Sequence, residues 1–232
     1  MKSALRSCLA LGYGAAHALR NLVFTLGLVL CTVAGTAHAE VVKVLAYGDS
    51  LTAGYGLDSA DGFVPQLNQW LADHGAQAEV VNGGVSGDTT AGGVSRLDWS
   101  LSAGVDALII NLGGNDMLRG IDPAVTRANL VKMLEVAKAK ALPVLLVGLQ
   151  APTNYGPDFK AQFDAIFPDL AKRYDAILLP DYFAPVAPTG DRTGLLSQYM
   201  QADGIHPNAE GVKRIVAAEG PKVLDLITMV KP

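Results

Sequence analysis

The chain has 232 residues, half of them hydrophobic, which is enough for one domain with a sizeable buried core. Its 18 Lys and Arg stand against 22 Asp and Glu, and the resulting net charge of −4 argues against a nucleic-acid binder. No low-complexity tract or internal repeat divides it.

The first element in chain order is a leader. Lys2, Arg6 and Arg20 are its only basic residues besides histidine, Asn21–Thr36 is uncharged and apolar, and Ala37–Ala39 reads AHA before Glu40. A basic start, an apolar stretch and an A-x-A site describe a secretory signal peptide over residues 1–39, cleaved after Ala39. An uncleaved membrane anchor is the alternative, because the uncharged run approaches the ~20 residues that span a bilayer. Gly27, Gly35 and the Ala-His-Ala site favour cleavage, and Leu30 before Cys31 argues against a lipoprotein site. Cys8 and Cys31 both lie in the leader. The remaining domain, residues 40–232, therefore has no disulfide framework, thiol nucleophile or cysteine-ligated metal. Its two histidines are His74 and His206, so any reaction needing an imidazole must use one of them.

Beyond the leader, Val41–Tyr47 is β-branched and apolar, like a buried strand. Phe63–Gly75 places Phe63, Leu67, Trp70 and Leu71 on one helical face. Ala78–Asn82, Asp106–Leu112, Pro143–Leu149 and Ala176–Pro180 read as four further strands. Asp122–Lys140 is helical, with Pro123 at the first turn. Phe159–Tyr174 reads as a helix interrupted or offset by Pro168, and a last helix from Asn208 is expected to break near Gly220–Pro221. The Pro- and Gly-rich segment Ala184–Gly194 reads as a surface loop. Apolar strands alternating with helices predict a single three-layer α/β/α domain around a central parallel sheet.

Four polar clusters follow strands or sit at turns: GDS (Gly48–Ser50), NGGVSGDTT (Asn82–Thr90), GGND (Gly113–Asp116) and DGIHPN (Asp203–Asn208). In a parallel sheet the carboxyl ends of the strands share one edge, so the first three clusters should converge there, and the fourth brings His206. Serine, glycine, asparagine and an Asp/His pair together are what acyl transfer requires. A serine hydroxyl is a weak nucleophile without an adjacent base, and an ordinary imidazole, titrating near ~6.5, suits that task. Asp203, three residues before His206, can orient the ring through its other nitrogen. The N–H of Gly87, the amide of Asn115 and the N–H of Ser50 are candidate donors to an oxyanion. Gly48 would give the backbone room to turn toward Ser50.

Each residue also has a plainer reading. Ser50 alone could be a turn or cap residue, Gly87 and Asn115 turn residues, and His206 a helix-start histidine. His74, beside Gly75 at a helix end, reads as a cap or surface residue. Asp88 and Thr89 read as N-caps, and Asp49 and Asp116 as caps or supports for the site. Ser86 is a rival nucleophile by position alone. No G-x-x-x-x-G-K-[ST] or G-x-S-x-G stretch occurs, which excludes a P-loop and argues against an α/β-hydrolase elbow.

The four clusters, in this order, resemble the SGNH (GDSL) hydrolase superfamily, and within it the bacterial thioesterase I / lysophospholipase L1 / arylesterase group. GDSLTAGYG, NGGVSGDTT, LGGNDMLRG and DGIHPN carry the resemblance, which extends through NYGPDF and FPDLAKRYD. The resemblance implies Ser50 as nucleophile, Asp203 and His206 as its partners, and Gly87 and Asn115 in the oxyanion hole. It also implies a flavodoxin-like fold, no metal and no cofactor, with Met117 and Leu118 beside the acyl chain. The expected activity is a secreted or periplasmic serine esterase acting on small ester or thioester substrates through an acyl-enzyme, as a monomer with no membrane anchor after cleavage. An SGNH carbohydrate acetyl-esterase, a phospholipase or a flavodoxin-like binding module are the alternatives.

Overall fold

A computed structural model describes residues 41–101, 104–186 and 198–230. The predicted leader and most of the predicted surface loop lie outside these residues. Five strands, β1 (Val42–Gly48), β2 (Ala78–Gly84), β3 (Ala107–Asn111), β4 (Val144–Val147) and β5 (Ile177–Leu179), form one sheet in the order β2-β1-β3-β4-β5. Every pairing is parallel. All residues of β3 and β4 are buried, as strands covered on both faces must be. Gly48 pairs with Gly84 on one side and Asn111 on the other, so the three strands that carry the polar clusters end level. The strand order reverses between β1 and β3, and ligands bind at such a switch point, outside the strands' carboxyl ends.

The strands fall within two residues of the predicted runs. β2 runs on through Gly83 and Gly84, where the backbone continues to pair with Tyr47 and Gly48. Glycine is required there by close approach, since a Cβ on Gly84 would meet the backbone of Ala53. The same holds for Gly48, whose Cβ would strike the Thr52 side chain and the Asn111 carbonyl. That glycine serves packing beneath the turn rather than the turn itself.

Helices α1 (Ser50–Ala53), α2 (Phe63–Asp73), α3 (Thr90–Ser100), α4 (Gly114–Leu118) and α5 (Pro123–Ala139) follow in chain order. The helix predicted over Phe159–Tyr174 is two, α6 (Pro157–Asp164) and α7 (Ile166–Tyr174), which meet at Ala165. Pro168 is the third residue of α7, where its missing N–H costs nothing because first-turn donors have no partner within a helix. The last helix, α8 (Ala209–Thr228), is unbroken and carries Pro221 inside it, contrary to the expected break. An interior proline costs ~3 kcal/mol or more. Val212, Ile215 and Val216 before it and Val223 and Leu226 after it are all buried, and at ~1.5–3 kcal/mol each they outweigh that cost. α8 packs against α2, with Gly220 so close to the Trp70 ring that a Cβ there would collide. α3, α5 and α7 pack side by side elsewhere on the sheet. Among the described residues no helix is long and apolar enough to cross a membrane.

Candidate active site

Ser50 follows β1 by two residues and opens α1. Asp49 caps this short helix by accepting the Leu51 N–H at 3.0 Å. Ser50 Oγ lies 2.8 Å from His206 Nε2, and His206 Nδ1 lies 2.7 Å from Asp203 Oδ2. A carboxylate only accepts, so Nδ1 carries the proton and Nε2 is left to accept from the serine hydroxyl. The turn that carries this pair is built locally. Asp203 Oδ1 accepts the backbone N–H of Ile205 at 2.9 Å and of His206 at 3.0 Å, and Gly204 takes φ +65° between them. The His206 N–H, followed by the imidazole, holds the Asp203 carboxyl down at about 2. Gln201 N–H donates to the His206 carbonyl at 2.7 Å, which closes the turn, and Asn208 then caps α8 through the Gly211 N–H at 2.9 Å.

Gly87 lies in the loop after β2 at φ +80°, the left-handed region that glycine tolerates. Asn115 is the second residue of α4; its Nδ2 donates to the Asp88 carbonyl at 2.9 Å and faces Asp49 Oδ2 at 3.3 Å. Asp49 is 2 % exposed, and burial pushes its carboxyl up to about 6. Ser50, Gly87, Asn115, Met117, Leu118, Asp203 and His206 all line one cavity of about 590 Å³. All seven residues singled out in the sequence therefore converge. Ser86 lines the same cavity, but the imidazole is bonded to Ser50. His74 is elsewhere, at the end of α2, stacked on Trp70 at 3.7 Å with its Nδ1 donating to the Trp70 carbonyl. Among the described residues no three His, Cys, Asp or Glu side chains are grouped to hold a metal.

Sequence reasoning missed the groups that brace these loops. Arg96, on α3, donates from Nε to Asp88 Oδ2 at 2.7 Å, from Nη1 to the Gly83 carbonyl at 2.8 Å and from Nη2 to the Gly48 carbonyl at 2.8 Å. Its guanidinium sits 4.0 Å above the Tyr47 ring. The Asp88 carboxylate therefore serves Arg96 and not a helix cap, while Thr89 does cap α3 through the Gly92 N–H at 3.3 Å. Asp116 is buried and accepts from the Thr90 N–H at 2.8 Å, from the Thr90 hydroxyl and from Thr126 Oγ1 at 3.3 Å, tying α4 to α3 and α5. Arg119 donates to the Gly87 carbonyl at 2.9 Å and Tyr155 to the Leu118 carbonyl at 2.9 Å, so the segment after β3 is held from both sides. A residue eight positions from its acidic partner on a half-polar helix offers no sequence signal of such a role.

The profile of the GDSL-like Lipase/Acylhydrolase family matches residues 46–214. Esterase TesA of Pseudomonas aeruginosa is 39% identical over 193 residues, covering 83% of this chain and 92% of that protein. Thioesterase 1/protease 1/lysophospholipase L1 of Escherichia coli (strain K12) is 38% identical over 176 residues, covering 75% and 78%. The crystal structure of AlinE4, an SGNH-hydrolase family esterase, superposes with a TM-score of 0.66 at 42% identity, over 80% of this chain and 96% of that one.

Proposed function

The chain belongs to the GDSL-like lipase/acylhydrolase family and is a serine ester hydrolase, and from that premise we propose that it works through an acyl-enzyme on Ser50. The observation that carries this reading is the continuous contact from Ser50 Oγ through His206 to Asp203, at 2.8 and 2.7 Å. Ser50 Oγ attacks the ester carbonyl carbon while His206 Nε2 takes its proton. The carbonyl oxygen becomes an oxyanion facing Gly87 N–H, Asn115 Nδ2 and Ser50 N–H. The bond to the leaving oxygen or sulfur then breaks, its electron pair stays with the leaving atom, and His206 returns the proton there. Water, deprotonated by the same nitrogen, releases the acid and restores Ser50. Asp203 keeps Nδ1 protonated and stabilises the imidazolium formed in both halves.

The substrates are small carboxylic esters of aryl and of short to medium acyl type, together with thioesters and lysophospholipids. The relatives' names support esters, thioesters and lysophospholipids, and the apolar side chains of Met117, Leu118, Leu149, Phe183 and Met200 in the cavity suit an acyl or aryl group. Residues 1–39 act as a secretion signal, and the domain that works outside the cytoplasm begins at Glu40; the intact mass of the exported protein checks this. The reaction is tested by initial rates on p-nitrophenyl butyrate for the wild type and Ser50→Ala. The variant is expected to fall by about three orders of magnitude or more. A variant that retains the wild-type rate removes Ser50 as nucleophile.

A further inference from the structure

We propose that Tyr55 forms a leaving-group subsite that takes an aromatic alcohol, an inference that rests on the reaction assigned to Ser50 above. The chemistry fixes where a leaving group must lie. The tetrahedral carbon carries four substituents: Ser50 Oγ, the oxyanion, the acyl carbon and the leaving oxygen. The oxyanion is directed to Gly87 and Asn115. The leaving oxygen must reach His206 Nε2, because the proton that Nε2 took from Ser50 neutralises the electron pair left when the carbon–oxygen bond breaks. Whatever is attached to that oxygen therefore rests against the cavity wall around His206.

An aromatic side chain waits there. The Tyr55 ring lies 4.8 Å from the His206 ring, tilted by 40°, and lines the same cavity. It is 54% exposed, a large apolar face left open at the mouth, and Ile205, next to His206, is 43% exposed beside the same cavity. Tyr55 is held in place by its backbone. Gly54 and Gly56 flank it at φ +81° and +75°, and Gln201 Nε2 donates to the Tyr55 carbonyl at 2.8 Å and to the Pro207 carbonyl at 3.0 Å. One amide thus ties the Tyr55 turn to the turn that carries His206, so ring and base keep their spacing before any ester enters.

An aryl leaving group can stack on or edge against that ring while its oxygen stays at Nε2. Aromatic pairs gain more than the area they bury, an advantage equivalent to about three- to tenfold in rate when it is made in the transition state. An alkyl leaving group of equal acidity buries area there but forms no ring pair. Ring shape, not the hydroxyl, carries the effect, so Tyr55→Phe preserves it and Tyr55→Ala or Tyr55→Leu removes it.

The experiment compares kcat/KM on phenyl butyrate and on hexafluoroisopropyl butyrate, whose leaving alcohols are of similar acidity and whose acyl groups are identical. In Tyr55→Ala and Tyr55→Leu the phenyl-to-alkyl ratio is expected to drop about three- to tenfold, and in Tyr55→Phe to stay at the wild-type value. Phenol, as a product inhibitor, should weaken by a similar factor in the two non-aromatic variants. An unchanged ratio in Tyr55→Leu, including an equal loss on both esters, overturns the subsite while leaving the Ser50 reaction intact. A wild type inert on both esters overturns the reaction and the subsite with it.

Discussion

Arg96 Nε donates to Asp88 Oδ2 at 2.7 Å, and through this ion pair one side chain of α3 holds the loop that presents Gly87. The other two guanidinium nitrogens take the Gly83 and Gly48 carbonyls, one at the end of β2 and one two residues before Ser50. Ser50 and Gly87, the proposed nucleophile and oxyanion donor, follow different strands, and Arg96 bonds to the end of each strand. Its side chain is 20% exposed, so its charge pair is only partly screened by water.

Arg96→Ala should therefore lower kcat by about one to two orders of magnitude with little change in KM, since a small misplacement of reacting groups costs about that much. The Gly83 carbonyl and the Asp88 carboxylate would lose this partner, at about 1–3 kcal/mol each where water cannot replace it, while the Gly48 carbonyl keeps the Val85 N–H at 3.0 Å. Arg96→Lys, which keeps the charge but not the fork, should restore folding stability more than turnover. Paired kcat, KM and urea-midpoint measurements on both variants check this; a loss confined to stability would reduce Arg96 to a structural part.

Asn115 offers a cleaner cut at the oxyanion. Its amide is held by the Asp88 carbonyl at 2.9 Å, while the contact to Asp49 at 3.3 Å is long enough to yield to a better acceptor. Asn115→Ala should cost ~10²–10³ in kcat and leave KM within a few-fold. Steady-state rates on p-nitrophenyl butyrate decide it, and a kcat within a factor of about three of wild type would place the oxyanion elsewhere.

Glu219 links stability to pH. It lies on the core side of α8 with 0% exposure, neither carboxyl oxygen has a partner among the described residues, and burial raises its carboxyl to about 8. The unfolded carboxyl titrates near 4.5, so between that pH and about 8 the unfolded chain has released a proton that the folded protein keeps. The unfolded state then binds fewer protons, and stability falls as pH rises, by ~1.4 kcal/mol per pH unit across that window. Tyr182, whose hydroxyl also lacks a partner among the described residues, is raised well above its ordinary value by burial first and by the Glu219 charge second. Glu219→Gln removes the slope: its stability relative to wild type, from urea unfolding, should increase steadily from about pH 5 to about pH 8. Parallel curves across that range would show that water or a rearranged side chain already serves the carboxylate.

Most of the architecture was legible in the chain because its signals are short-range. Buried strands such as Ala107–Asn111 show as continuous apolar runs, and the pattern of a parallel sheet then places every cluster that follows a strand on one edge. His206 stood out by arithmetic, being one of two histidines after residue 39, and its link to Asp203 spans only three residues. Such facts need no knowledge of distant contacts.

What the tertiary structure decided depends on distant contacts. Pro221 reads locally as a helix breaker, yet the burial of α8 on both sides of it carries the helix through. Arg96 and Glu219 look like ordinary polar residues of helices; only the packed sheet brings three acceptors to one and leaves the other sealed in the core. Tyr55 becomes a wall of the cavity because a chain segment 146 residues away ties down its carbonyl. The sequence by itself determined the candidate reacting groups, since their types and local spacing are written along the chain. Their support was decided in three dimensions, because the partner of a buried charge or an open aromatic face is chosen by packing and not by position in sequence.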